Sequence, residues 1–155
     1  MTSKDFKTAL GDAEDAFQRT PENPEVGLEH VEDSATLQLR KACRLLDAAS
    51  FLLERNGHFT VIIEASFVAI ERMIQFYVEE KNYHVPGQRH TEVYELAVQA
   101  GLFSRDIADR LEELWRENRS ESYYRTGIAG EYRARTVHRL AATLHEETRT
   151  RDCIC

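Results

Sequence analysis

The apolar residues of this chain recur at helical spacing over most of its length. Between residues 34 and 55, Leu39, Leu46 and Leu53 are each seven residues apart, which places them on one face of an α-helix. No stretch alternates apolar and polar residues for long enough to indicate a β-strand. The pattern therefore predicts an all-α fold, an antiparallel bundle of four or five core helices.

Turn-forming residues divide this pattern into segments. Proline and glycine in TPENPEVG (20–27) predict a loop, which separates an acidic N-terminal arm, residues 1–33, from the rest. We therefore expect a helical bundle over residues 34–148 and a flexible tail over residues 149–155. The predicted helices span residues 4–18, 34–55, 60–81, 91–100, 104 to about 124, and 131–147.

Two of these helices differ sharply in the width of their apolar surface. The helix over residues 60–81 is apolar on so wide an arc that we expect it to lie at the centre of the bundle. The helix of the arm has one narrow stripe, formed by Phe6, Leu10, Ala13 and Phe17. It is predicted to be a short amphipathic helix outside the bundle.

Local residues predict where several helices begin and end. Asn56 and Gly57 supply a left-handed stop, whereas Thr60, Thr91 and Ser104 are expected to cap the helices that follow them. Ser104 begins a helix whose predicted core face consists of four apolar residues, Ile107, Leu111, Leu114 and Trp115.

The charge of the chain makes it a poor binder of polyanions as a whole. The 155 residues carry a net charge of −7, and residues 1–34, with nine acidic and three basic residues, account for −6 of it. Residues 35–155 are therefore close to balance, at −1. Any contact with RNA or DNA requires a local basic patch against this background.

Hydropathy and cysteine content favour a cytoplasmic protein. No apolar run approaches the roughly twenty residues of a membrane span, and we expect no signal peptide and no membrane partner. Three cysteines, two of them in the terminal DCIC, do not make a disulfide framework. A reducing compartment is therefore the simpler expectation.

The histidines and cysteines do not indicate a metal site. His138 and His145 are seven residues apart, whereas metal-binding pairs on a helix usually have a spacing of about four. We expect these histidines to be exposed or at the edge of the core. Cys43 is predicted to be a small packing residue rather than a nucleophile. The sequence thus predicts neither a metal nor a cofactor.

The stretch RENRSESYYRTG, residues 116–127, is the strongest candidate site. It contains three arginines, an asparagine and two tyrosines, namely Arg116, Arg119, Arg125, Asn118, Tyr123 and Tyr124. A guanidinium can hold a phosphate at two points, and a tyrosine can donate to the same anion or stack on a base. In the alternative interpretation, the glutamates between residues 112 and 121 neutralise the arginines, and the tyrosines pack on a neighbouring helix.

His90 is a second candidate for anion binding. It begins a predicted helix beside Arg89, and a helix N-terminus next to an arginine favours a negatively charged ligand. Alternatively, His90 is a turn residue that caps this helix.

From about Leu37 to Glu147, roughly 110 residues, the chain resembles a HEPN domain (higher eukaryotes and prokaryotes nucleotide-binding). LDAASFLLERNGHFTVIIEASFVAIERMIQFYVEE resembles the first helical hairpin of the family. GQRHTEV resembles its inter-helix segment, which often holds a histidine. LEELWRENRSESYYRTG and EYRARTVHRLAATLHEE resemble the helix that carries the family motif and the helix after it.

This resemblance implies a bundle of four or five helices that usually forms a homodimer. Many HEPN members are metal-independent ribonucleases, whose motif is Arg, four to six residues, then His, at a cleft between two copies. Arginine is thought to hold the scissile phosphate, and histidine to assist the ribose 2′-hydroxyl or protonate the leaving group. Many members are toxins paired with a nucleotidyltransferase antitoxin, and others are nucleotide-binding or interaction modules.

Carried over onto this chain, the motif arginine matches Arg119, with Arg116 as the alternative register. The histidine does not match, because the corresponding positions are Tyr124 after Arg119 and Tyr123 after Arg116. A tyrosine with the ordinary pKa of about 10 is a poor base at neutral pH, but it can still orient a phosphate. A branch of the family with an Arg…Asp-Tyr motif has tyrosine at this place.

The sequence leads to two hypotheses of function. The first is a cytoplasmic HEPN-like toxin–antitoxin component that binds or cleaves RNA at a dimer cleft. Its catalytic candidates are Arg119, Tyr124, Tyr123 and Asn118, and its phosphate-binding candidates are Arg116, Arg125 and His90. The second is a non-catalytic interaction or nucleotide-binding module. The first predicts an open guanidinium at Arg119, whereas the second predicts that Arg119 is paired with a carboxylate of its own chain.

Overall fold

The computed structural model describes residues 4–20, 24–83, 90, 92–120 and 128–149, and these residues form six α-helices. Helix α1 spans Lys4–Gln18, α2 Ser34–Glu54, α3 Phe59–Glu80, α4 Glu92–Gln99, α5 Arg105–Asn118 and α6 Glu131–Thr148. No strand occurs in these described ranges, and the prediction of an all-α helical bundle is confirmed. None of the described helices is both long and apolar enough to cross a membrane.

Helix α3 lies at the centre of the bundle, as its wide apolar arc predicts. It packs against α2, α4 and α6, so apolar side chains on several of its sides are buried. Its fully buried side chains include Ile62, Ile63, Ile70, Met73 and Ile74. The connection from α2 to α3 is only residues 55–58, which makes the two helices antiparallel neighbours.

The connection between α2 and α3 confirms one of the predicted signals and corrects another. Asn56 has a left-handed backbone (φ 50°), and the N–H of Gly57 donates to the carbonyl of Leu52, which ends α2. The prediction that Thr60 caps α3 is wrong. That helix already begins at Phe59, because His58, which has a left-handed backbone (φ 59°), is its N-cap residue.

Helix α5 begins as predicted, but its buried face is narrower. Ala108 and Leu111 are buried, whereas Ile107 and Leu114 remain 43% and 44% exposed. The reason is that α5 lies at the edge of the bundle, where it packs chiefly on the short helix α4. The predicted core face of α5 is therefore only partly buried, and Trp115 is half-buried.

The predicted helix of the acidic arm forms, but its stripe does not enter the core. Helix α1 buries none of its residues. Phe6, Leu10 and Phe17 are 56%, 48% and 92% exposed. The amphipathic pattern thus predicts the helix correctly.

The two histidines of α6 contact side chains of α2. His145 is buried, its Nε2 lies 3.3 Å from the sulfur of Cys43, and burial lowers the pKa of this histidine. His138 shares a hydrogen bond of 3.0 Å with Ser50. Cys43 is buried in α2, as expected of a small packing residue. In the described part of the chain, no group of three or more His, Cys, Asp or Glu residues could hold a metal ion.

Replacement of Ser104 by alanine is expected to lower the free energy of unfolding by about 0.5–1 kcal/mol. The Ser104 hydroxyl accepts a hydrogen bond of 3.4 Å from the N–H of Ile107, and alanine removes this cap. Urea unfolding followed by circular dichroism measures the change. Ser104→Asp, which restores an acceptor, is the control, and equal stability of the alanine variant and the wild type would contradict the assignment.

Candidate functional site

The end of α5 and one face of α3 bring the polar candidate residues together. Helix α5 ends at Asn118, and Arg119 keeps helical backbone angles (φ −64°, ψ −43°). On α3, Glu64 and Glu71 are seven residues apart and therefore share a face. The carboxylates of this face contact the residues that end α5 and the histidine that precedes α4.

Glu64 contacts two of the candidate residues at once. Its Oε2 lies 3.2 Å from Nη2 of Arg119 in an ion pair whose two side chains are 24% and 22% exposed. Its Oε1 accepts a hydrogen bond of 2.6 Å from the amide of Asn118, which is buried. The expectation of an open guanidinium at Arg119 is therefore wrong for the single chain, because α3 presents a carboxylate directly beneath the end of α5.

Glu71 forms a second acidic contact, with His90. The carboxylate lies 2.7 Å from Nδ1 of the imidazole. The Glu71 side chain is only 11% exposed, whereas that of His90 is 56% exposed. Burial raises the pKa of Glu71, and the nearby His90, Arg72 and Arg119 oppose this rise. The pair of Glu71 and His90 therefore combines a desolvated carboxylate with an imidazole that is exposed to solvent.

The ring of Trp115 joins these two contacts into one cluster. His90 stacks on it with ring centroids 5.7 Å apart and planes inclined by 25°. The guanidinium carbon of Arg119 lies 5.4 Å from the same ring, within the range of a cation–π interaction. We define the His90–Arg119 cluster as the six residues Glu64, Glu71, His90, Trp115, Asn118 and Arg119.

Three buried polar atoms in and beside the cluster have unmet hydrogen bonds. Within the described residues, Nε1 of Trp115, Oδ1 of Asn118 and the hydroxyl of Tyr94 have no hydrogen-bond partner. Such atoms are uncommon in folded proteins and call for an explanation, such as a ligand or water. Asn118 also lines a pocket together with Ile63 and Val137, so space for small molecules adjoins the cluster.

The structure brings three of the sequence-predicted residues together and leaves a fourth apart. Arg119, Asn118 and His90 belong to the cluster. Arg116 instead forms an ion pair with Glu112 along α5 and is 60% exposed, as expected for a solvated helix face. The remaining candidates, Tyr123, Tyr124 and Arg125, lie outside the described residues.

Three residues of the cluster were not among the sequence candidates. Glu64 and Glu71 interrupt the most apolar helix of the chain at a spacing of seven. A charge on the core face of a central helix usually needs a partner, so this spacing was an available signal. Trp115 was expected in the core, where its indole N–H would also need a partner.

The comparisons with known proteins identify the family of the chain but not its function. A family model described as a domain of unknown function, DUF8154, matches residues 1–155. The chain belongs to this family. The DUF8154 match includes the acidic arm as well as the bundle. No curated protein and no solved structure matches the chain.

Proposed function

We propose that this chain is a HEPN-like protein of the toxin–antitoxin type, which binds RNA at the His90–Arg119 cluster and cleaves it without a metal. The observation that carries the proposal is the shared contact of His90 and Arg119 with the ring of Trp115. An arginine can hold a phosphate and an imidazole can transfer a proton, and these two functions together support metal-independent phosphodiester cleavage.

Arg119 is the phosphate-binding residue in this proposal. A guanidinium presents N–H donors in a planar fork whose geometry matches two oxygens of a phosphate. Trp115 and Glu64 fix the position of this fork, which lowers the entropy that binding must remove. Asn118 contributes by holding the second oxygen of Glu64.

The charges of the cluster determine how an anion would bind. Arg119 and Glu64 cancel each other, so a phosphate must compete with the Glu64 carboxylate for the guanidinium. The protein as a whole has a net charge of −7, which further weakens polyanion binding. We therefore propose a short contact with one or two phosphates rather than binding along a long nucleic acid.

The resemblance to HEPN domains extends the proposal to partners. A homodimer would place two His90–Arg119 clusters near one cleft, and a nucleotidyltransferase antitoxin would be the partner that blocks or modifies the protein. The mass of the purified protein in solution tests whether it is a homodimer. Identification of the protein encoded by the adjacent gene tests whether a nucleotidyltransferase antitoxin accompanies it.

Replacement of Arg119 by alanine is expected to lower the affinity for a short single-stranded RNA about 10- to 100-fold, because a charge-assisted contact contributes about 1.5–3 kcal/mol. Fluorescence anisotropy in the presence of a chelator measures the dissociation constant, and gel electrophoresis of the same RNA measures cleavage. The control is Arg110→Ala, which removes the same charge from a 76% exposed side chain of the same helix. Equal loss in both variants, or in neither, would contradict the site.

A second function, a non-catalytic interaction module, is favoured by the ion pair between Arg119 and Glu64 within one chain. In that case the guanidinium joins α5 to α3 and has no ligand. Arg119→Ala would then lower the free energy of unfolding without changing the affinity for RNA. The experiment above separates the two functions when urea unfolding of the same variant is added.

A further inference from the structure

We propose that the groove between α5 and α6 binds helix α1 of a second copy of this chain. This contact involves the acidic arm and does not depend on RNA binding. Helix α5 packs chiefly on α4, whereas α6 packs on α3 and α2, so α5 and α6 enclose a groove between them. The floor of the groove consists of three buried residues of α3, namely Ile63, Phe67 and Ile70.

The groove contains two pockets with apolar walls. The larger pocket, about 300 Å³, lies between Leu111 of α5 and Leu144 of α6, and the smaller, about 120 Å³, between Leu114 of α5 and Val137 of α6. On the α5 wall, Ile107 and Leu114 remain 43% and 44% exposed. A cavity of about 150 Å³ can already hold a benzene ring. An apolar groove of this kind is the usual docking site for an amphipathic helix.

Helix α1 has the apolar stripe that such a groove binds. It buries none of its residues, and Leu10 and Phe17 on its stripe are 48% and 92% exposed. These two residues are seven positions apart, and so are Val137 and Leu144 on the α6 wall of the groove. Seven helical residues correspond to about 10 Å. The two side chains of the stripe therefore match the two pockets in spacing.

The charges that line the groove favour one direction for α1. Glu147 lies at the larger pocket, whereas the opposite charges of Glu117 and Arg133 both lie at the smaller one. Helix α1 has its two lysines among its first four residues and only acidic charges in its second half. We therefore expect α1 to run antiparallel to α6, with Leu10 in the larger pocket and Phe17 in the smaller.

The segment that follows α1 holds the arm beside α2 of its own chain. Glu25 forms an ion pair of 3.0 Å with Arg44 of α2, and the carbonyl of Gly27 accepts a hydrogen bond of 2.9 Å from Arg40. Residues 19–24 connect this anchored segment to the end of α1. Six residues reach at most about 20 Å.

The groove lies on the opposite side of α3 from α2. Phe76 of α3 packs with residues of α2, whereas Phe67 belongs to the floor of the groove. Because these two residues are nine positions apart, they lie on opposite faces of the helix. A path from α2 to the groove of the same chain would have to pass around packed helices whose axes are about 8–10 Å apart. The groove of a second copy has no such obstacle, and a two-fold axis would generate two identical contacts in a closed dimer.

Phe17→Asp is expected to raise the dissociation constant of the dimer at least about 100-fold, because it places a charge at an anchor residue of both contacts. Phe17 is 92% exposed in the single chain, so the fold should be kept, which circular dichroism checks. Leu114→Asp, in the wall of the groove, should have the same effect. Sedimentation equilibrium of the full chain measures the constant. Val61→Asp is the control, since Val61 is 51% exposed outside the groove, and it should change the constant by no more than about twofold.

Photo-cross-linking tests whether α1 enters the groove of another copy. The photoreactive residue p-benzoylphenylalanine replaces Phe17 in the full chain. After irradiation we expect a covalent dimer on a denaturing gel, with α1 linked to a peptide of α5 or α6. The same residue in place of Asp15, on the other face of α1, is the control that should give no dimer.

A monomeric wild type would overturn the proposal, and so would cross-links from α1 that stay within one chain. A dimer that is unchanged in both Phe17→Asp and Leu114→Asp would also overturn it. That last result would leave the homodimer of the proposed function in place, because the two copies would then meet through another surface.

Discussion

Ile74→Ala is expected to lower the free energy of unfolding by about 2–5 kcal/mol, the range for a large aliphatic side chain removed from a packed core. Ile74 is fully buried in α3, and this helix contacts α2, α4 and α6. The substitution removes apolar contacts and leaves a cavity that helices on several sides cannot all close. Urea unfolding monitored by circular dichroism gives the free energy.

The matched control for this variant lies on the same helix. Val61→Ala also shortens an aliphatic side chain, but Val61 is 51% exposed. Its effect is expected to stay within about 0.5 kcal/mol. A loss of less than about 1 kcal/mol in Ile74→Ala, or equal losses in both variants, would show that α3 is not the centre of the bundle.

Glu64→Gln is expected to raise the affinity for a short single-stranded RNA by about tenfold, if Arg119 binds phosphate. The substitution removes the carboxylate with which a phosphate must compete, and it adds one unit of positive charge to the cluster. The side chain keeps nearly the same shape, so the end of α5 should stay in place. Fluorescence anisotropy at constant salt and pH measures the change.

The same variant should lose stability while it gains affinity. Asn118 is buried and donates to Glu64, and replacement of a charged acceptor by a neutral one weakens this bond by about 1 kcal/mol. Glu112→Gln is the control, since it neutralises a carboxylate paired with the exposed Arg116. Lower stability without a gain in affinity would favour the interaction-module function, in which the ion pair only holds two helices together.

The sequence predicts the helices better than it predicts their contacts. The wide apolar arc of α3 reflects burial on several sides, which is a property of the helix itself and can be derived from its residues. The exposed side of α5 could not be derived in this way. Ile107 and Leu114 have helical spacing, but the helices of the described ranges leave them 43% and 44% exposed. Thr60 likewise is a residue type that often caps helices, but His58, with a left-handed backbone, is the N-cap, so the helix begins earlier.

In the candidate site, too, the sequence predicts residues but not the contacts between them. Composition and resemblance select Arg119, Asn118 and His90 from the sequence. Their partners are far away along the chain, since Asn118 and Glu64 are 54 positions apart. Such a pair depends on where the tertiary fold places the end of α5 relative to α3, which no local pattern specifies. The sequence therefore predicts which groups are available, and the tertiary fold determines which of them meet.

The salt dependence of RNA binding tests the role of Arg119 most directly. Each phosphate neutralised on a single strand contributes about 0.7 to the slope of log affinity against log salt concentration. The comparison of wild type with Arg119→Ala, over a series of salt concentrations, isolates the contribution of this one guanidinium. We predict that the slope of the variant is shallower by about 0.7. Identical slopes and identical affinities would contradict a phosphate-binding Arg119.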